Sequence, residues 1–230
     1  GGAISEASKL IEVLEPAMGF RLGQVERPVD TDCIELKIDS SLRAGLGGEG
    51  YELTVSGRVV NLRAADSAGL FYGVQTLRQL LPAAACGKKK VEGIQWTVPC
   101  VRITDHPRFA WRGLLIDPAR HFIPVSDVER YLDVMALHKF NRLQIHFTDD
   151  QGWRIEIKKY PRLTGIGAGM DFSALQAKDQ TSGRKAGGFY TQDQIRHLVR
   201  YAAERHITIV PEIEMPAHTG AAIVSYPEIG

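Results

Sequence analysis

The sequence predicts an α/β protein in two parts: a small α+β domain over residues 1–100, then a run of βα units forming a parallel sheet over residues 101–230. Two observations carry this reading. Between Cys33 and Leu81 the apolar residues first alternate with period two and then recur every three or four positions, a change from strand to helix. From Arg112 onward the rhythm becomes strand, loop, helix, strand, and it yields three βα-type units in a row.

In the first part, Ile34-Glu35-Leu36-Lys37-Ile38 and Tyr51-Glu52-Leu53-Thr54-Val55 alternate cleanly, and the glycines of residues 45–50 separate them. This is the pattern of a half-buried antiparallel hairpin. A third strand is expected near Val59 to Leu62. Asp66 then stands where it can cap a helix whose Leu70, Val74, Leu77 and Leu81 share a face, and Pro82 ends that helix. The small, lysine-rich stretch Ala83 to Gly93 reads as a boundary zone before Ile94 to Ile103.

In the second part, Leu114-Leu115-Ile116 reads as a short buried strand. Ser126-Asp127-Val128-Glu129 has the S-x-x-E form of a capping box and opens a helix with Val128, Tyr131, Leu132 and Met135 on one face. Leu143 to Phe147 is the next strand. Thr191-Gln192-Asp193-Gln194 repeats the capping signal ahead of Ile195, Leu198, Val199 and Ala202, and Ile207 to Ile213 is the third strand. Three such units imply a parallel sheet, either doubly wound or part of a (β/α) barrel, and in both the ligand site lies beyond the carboxyl ends of the strands. The polar clusters 117–121, 149–154 and 212–218 fall there. No G-x-G-x-x-G or P-loop follows any strand, so a nucleotide is not supported.

Bulk composition narrows the partners. With 28 Lys and Arg against 27 Asp and Glu, the formal charge is +1, and no basic block exceeds Lys88-Lys89-Lys90, so nucleic acid is not an expected partner. Cys33, Cys86 and Cys100 are widely spaced and odd in number, which suggests neither a disulfide framework nor a zinc site. Apolar runs are too short to cross a bilayer. The Gly1-Gly2-Ala3 start lacks a charged segment followed by an apolar one, so the chain reads as cytosolic or as one whose leader has been removed.

Among candidate residues, Asp149 and Asp150 are adjacent, and neighbours on a regular strand point to opposite faces, which argues against a tandem acid/base pair. Arg120 is either a surface arginine paired with a carboxylate or a forked donor to sugar hydroxyls. His218 is either a helix-start histidine or one that pairs with a carboxylate to hold proton positions. Glu212 and Glu214 have equal strand parity and can share a face. Trp153 is more often core than a platform for a sugar ring, and His146 is most simply a hydrogen-bonded interior histidine. A metal centre is the runner-up chemistry, weakened by the lack of a tight H-x-x-x-H or H-x-D motif.

Three runs carry a resemblance: residues 111–122 (WRGLLIDPARHF), residues 146–154 (HFTDDQGWR) continued to Pro161, and residues 211–219 (PEIEMPAHT). With them the chain resembles the family 20 glycoside hydrolases, the β-N-acetylhexosaminidases, and residues 64–77 resemble the small α+β domain that precedes the barrel in that family. The resemblance implies the first three βα units of a TIM (β/α)8 barrel, truncated, and a retaining enzyme that removes terminal N-acetylglucosamine or N-acetylgalactosamine from β-linked glycans. It implies no metal and no cofactor. The substrate's acetamido oxygen would attack the anomeric carbon, an Asp would orient that group, and the neighbouring Glu would serve as acid and then base. Arg120 would bind hydroxyls of the terminal sugar; Asp149 and His218, supported by Glu214, would stand behind the acid; Asp150 would be a loop carboxylate. Glu214 stands where many members have Asp, and Ala217 where most have Gly. In this family the catalytic Asp-Glu pair follows on a later strand, so it is expected beyond Gly230 and the 230-residue chain is expected to be inactive alone. The alternative is a noncatalytic carbohydrate-binding or assembly fragment. Export from the cytosol is a further implication of the resemblance.

Overall fold

The computed structural model describes residues 2–25, 31–169 and 187–230. It divides into two compact units, Gly1–Ala110 and Trp111–Gly230. The sequence reading drew its boundary at residue 100, whereas β4, Val101–Asp105, pairs with β2 and belongs to the first sheet.

The first unit opens with helix α1, Gly2–Met18, which the sequence reading did not anticipate. Leu10, Ile11, Leu14, Ala17 and Met18 are its buried apolar positions. Strands β1 (Cys33–Ile38), β2 (Tyr51–Ser56), β3 (Val59–Ala64) and β4 form one sheet in the order β1-β3-β2-β4. The expected hairpin of β1 with β2 is therefore replaced. β3 lies between them, parallel to β1 and antiparallel to β2. The physical reason lies in the connections. β2 turns into β3 through the two residues Gly57 and Arg58, with Gly57 at φ 51°, whereas the β1–β2 connection carries a 3-10 turn and the short helix α2, Arg43–Leu46.

Helix α3, Ser67–Leu80, lies against β3 and β2 and buries Leu70, Val74 and Leu77 as the spacing predicted. Gly73 is required by that approach: a Cβ there would sit 2.3 Å from Leu62 Cδ1. Asp66 occupies the N-cap position but makes no side-chain cap bond; its carboxylate is drawn instead into an ion pair with Arg43.

In the second unit, β5 (Gly113–Ile116), β6 (Arg142–His146) and β9 (Thr208–Glu212) form a parallel sheet in chain order. Helices α4 (Val125–Leu137) and α6 (Gln192–Ala203) connect them and pack on each other. The box expected at Ser126 is absent. Helix α4 starts two residues earlier, with Pro124 as N-cap and no side-chain cap bond, which leaves Ser126 inside the first turn. Tyr131 also departs from its expected face and is exposed, while Val128, Leu132 and Met135 are buried. The Thr191 box forms in full: Oγ1 accepts from Gln194 N–H at 3.2 Å, and the Gln194 side chain accepts from Thr191 N–H at 2.9 Å.

Strand β5 is less buried than expected. Ile116 is buried, but Leu115 is 51% exposed, because it shares the sheet face of Gln144, its register partner, at the edge of the sheet. After β6, the miniature hairpin β7 (Thr148–Asp149) and β8 (Gly152–Trp153) carries the HFTDDQGWR run, followed by α5 (Arg162–Gly165). Trp153 resolves to core: it is 8% exposed, packs with Leu163, Ala221 and Ala222, and donates its indole N–H to Ile155 O at 2.8 Å. Ala221 and Ala222 belong to α7, Gly220–Ser225. Among the described residues no helix is long and apolar enough to cross a membrane.

Candidate active site

The carboxyl ends of β5, β6 and β9 deliver Arg120, Asp149 and His218 to one place. Strand β6 ends at His146 and the chain folds back at β7, so Asp149 points inward, 1% exposed, while Asp150 points out. Every acceptor position of the Asp149 carboxylate is occupied. Oδ2 meets His146 Nε2 at 2.9 Å and forms an ion pair with Arg120 Nη2; Oδ1 accepts from Asp150 N–H at 2.6 Å and faces His218 Nδ1 at 3.2 Å. Four donors on four lone-pair positions make this carboxylate a hub rather than a free base. Burial pushes Asp149 up, but the His146 hydrogen bond, the Asp150 N–H and the charges of Arg120 and His218 outweigh it and hold the carboxyl below its usual range.

Arg120 is held from two sides. Asp117, three residues earlier, accepts from the Arg120 backbone N–H at 3.0 Å and from Nη1 at 2.7 Å, while Asp149 takes Nη2. The Asp117 hydrogen bond raises the guanidinium further against the cost of partial burial. The side chain nevertheless remains 45% exposed, so the rest of its fork faces outward. Asp117 was visible in the sequence only as part of a polar cluster; its i,i+3 spacing to Arg120 was the available signal.

His146 lies behind this pair, buried, with both ring nitrogens facing carboxylates: Nε2 to Asp149 and Nδ1 to Glu212 Oε1 at 2.8 Å. Burial pulls the imidazole down, yet the Asp149 and Glu212 hydrogen bonds raise it above its ordinary value. Glu212 Oε2 also accepts from Gln144 Nε2 at 2.6 Å; burial raises this carboxyl, and the Gln144 and His146 bonds lower it on balance. Glu214 reaches the same nitrogen of His146 at 3.8 Å, so the two glutamates do share a side, and Glu214 meets the site at His146. Its backbone N–H donates to Thr148 Oγ1 at 2.9 Å. His218 is half exposed and has φ 54°, a left-handed conformation that costs a non-glycine residue and persists where the surroundings impose it.

Asp150 is a structural acceptor: its Oδ1 takes the N–H of Gly220 at 2.9 Å at the start of α7. Arg154 is the residue that sequence reasoning passed over. Its side chain is fully buried, donating Nε to Pro118 O and Nη2 to Ala119 O, each at 3.0 Å, and Nη1 to Ala168 O at 2.8 Å. It thereby fixes the backbone immediately before Arg120. No sequence signal distinguishes such a buried arginine from an exposed one.

Two sets of donors converge closely enough to consider a cation: His146 with Glu212 and Glu214, and Asp149 with Asp150 and His218, each within 4.8 Å. In the first, both nitrogens of His146 are engaged by carboxylates; in the second, the Asp149 oxygens are filled by donors. A cation would have to break these contacts, so the donors are matched to one another.

The fold and the site together define a protein of the (β/α)-barrel class, with a charged ligand site at the carboxyl ends of parallel strands. More particularly, the chain belongs to glycosyl hydrolase family 20: residues 109–230 match the catalytic domain of that family and residues 1–106 match its domain 2. It is 44% identical over 198 residues to a β-hexosaminidase of Porphyromonas gingivalis and 39% identical over 196 residues to a β-N-acetylhexosaminidase of Cellulomonas fimi. These alignments cover 86% and 85% of this chain, and 24% and 36% of the relatives. Among solved structures, the Streptomyces plicatus N-acetyl-β-hexosaminidase in complex with thio-NAglucal matches with TM-score 0.87 at 40% identity, covering 100% of this chain and 43% of that one. The chain thus spans well under half the length of these proteins.

Proposed function

We propose that this chain supplies the sugar-binding arginine and its charged support to a retaining β-N-acetylhexosaminidase, which removes terminal N-acetylglucosamine or N-acetylgalactosamine from β-linked glycans. The observation that carries the reading is the Asp149 hub, which joins an outward-facing Arg120 to His146 and His218 at the strand ends. Arg120, fixed by Asp117 and Asp149, offers the free part of its fork to sugar hydroxyls. His218 stands on the opposite side of Asp149, able to pass hydrogen-bond order to an acid beyond it. In this reading the substrate's own acetamido oxygen is the nucleophile, so the protein has to supply an acid and a group that orients the acetamide.

Neither Asp149 nor Glu212 fits the role of that acid, because the hydrogen bonds each accepts favour its ionised form. The 230-residue chain by itself is accordingly proposed to bind the sugar without hydrolysing it. The test uses the full-length protein and chromogenic β-N-acetylglucosaminide and β-N-acetylgalactosaminide. Turnover of at least one is expected, with Arg120→Ala mainly raising KM and His218→Ala mainly lowering kcat. Failure with both sugars sinks the reading. Hydrolysis by the 230-residue chain alone, abolished by a substitution within it, would overturn the division of labour.

A further inference from the structure

Three positions in the charged cluster are accounted for by the proposed reaction, but His146 is not. It sits one layer deeper than Arg120 and His218, on the inner face of the sheet beside its register partner Glu212 on β9. Its Nε2 is 2.9 Å from Asp149 Oδ2 on β7, and its Nδ1 is 2.8 Å from Glu212 Oε1. A neutral imidazole has one donor nitrogen and one acceptor nitrogen, whereas an ionised carboxylate only accepts. A ring lying between two carboxylates satisfies both only when both nitrogens carry protons.

We infer that His146 is a positioning residue, an imidazolium strut that ties β6 to β9 and fixes the Asp149 carboxylate so that one oxygen faces Arg120 and the other His218. The charges around it agree. Asp149 approaches from β7, Glu212 from β9, Glu214 from just past β9 at 3.8 Å, and Asp117 acts from the loop after β5. The basic side chains nearby are Arg120, on the far side of Asp149, and His218, whose ring lies edge-on at 6.2 Å between centroids. Carboxylates dominate its contacts, and the raised imidazole follows from them. Through this arrangement His146 acts on the sugar-binding side and the His218 side of the site together by way of Asp149.

The role in turnover rests on the hexosaminidase reading, but the protonation state does not, so the experiment has two arms. In full-length protein labelled with 15N-histidine, both ring nitrogens of His146 should carry protons at pH 7. A neutral tautomer at pH 7 overturns the inference, with no activity required. In the second arm, His146→Gln keeps a donor without the charge and His146→Phe keeps neither. Both should raise the proton affinity of Asp149 and move the acid limb of kcat/KM upward by about one pH unit or more. An acid limb left in place by both variants overturns the positioning role. If the unaltered protein turns over neither sugar, the functional reading falls, and the proton count on His146 still decides whether the strut exists.

Discussion

Gly152→Ala is the sharpest test of how the HFTDDQGWR run is built. A Cβ at residue 152 would lie 2.3 Å from Arg154 Cζ and 2.5 Å from both Nε and Nη2, where ordinary contact begins at 3.4 Å. The guanidinium must therefore retreat by about 1 Å, and it has no slack, since the side chain is buried and hydrogen-bonded to three backbone carbonyls. Its bonds to Pro118 O and Ala119 O leave from the atoms that clash. Charged hydrogen bonds contribute about 1.5–3 kcal/mol each, and overpacking adds about 1–3 kcal/mol. With partial relaxation the expected loss is about 3 kcal/mol. For a slope of about 2 kcal/mol per molar urea, the unfolding midpoint of the second unit falls by about 1.5 M. Tryptophan fluorescence and amide exchange would both report it. The same substitution made in an Arg154→Ala background should cost little, because its clash partner is gone. A midpoint shift below about 0.3 M, or an equal cost in the two backgrounds, refutes the account.

Three further outcomes follow from the geometry. Thr191→Ala removes one half of the capping box at α6 and should cost about 1 kcal/mol, a melting-temperature drop of a few degrees that Thr191→Ser largely restores. Asp149→Asn places an amide among four donors and should destabilise by about 2–4 kcal/mol, whereas Asp150→Asn, which keeps an acceptor for Gly220 N–H, should stay within about 0.5 kcal/mol; equal urea midpoints for the two would contradict the hub. Stability should also depend on pH from both sides. The contribution of Asp149, whose folded carboxyl is depressed, is complete above about pH 3.9 and is lost as pH falls through its lower folded value. That of His146, whose folded ring is raised, is complete below about pH 6.5 and is lost as pH rises through its higher folded value. Urea midpoints measured across pH should show both arms, and His146→Gln should flatten the alkaline one.

Local signals with a self-contained cause were legible in the sequence. Thr191 and Gln194 satisfy each other within one helical turn, so no distant residue can overrule them. Asp66 and Ser126 carry equally plausible signals and neither caps, the first because Arg43 competes for its carboxylate and the second because the chain enters α4 from Pro124. Strand alternation identified β1 and β2 but carries no information about which neighbour each takes. That choice is made by the length of the connections, and the tight turn at Gly57 gave β2 to β3. At the site, Asp149 is buried and Asp150 exposed, but β7 ends at Asp149 and the turn that follows, not strand parity, separates them; strand-end position gathered Arg120 and His218. Arg154 stayed hidden because its role depends on backbone carbonyls that only the tertiary fold brings within reach, whereas Asp117 lies three residues from Arg120 and carried a local signal.

The strand orders of the two sheets have a bearing on how each unit forms as it leaves the ribosome. In the second unit the spatial order β5-β6-β9 is also the order of synthesis, so each new strand can dock on the free edge of the one before it and none has to be inserted. β6 joins β5 before β9 exists, and the wait for β9, set by the residues between 142 and 208, adds only slowly to the loop-closure cost. The first unit cannot grow in this way. Its β1 emerges without a partner and stays so until β2 has turned back through Gly57 to present β3, with which β1 then pairs in parallel. A stall in translation between residues 38 and 59 would therefore leave β1 exposed, whereas a stall within the second unit would leave a sheet that is shorter but already correctly paired.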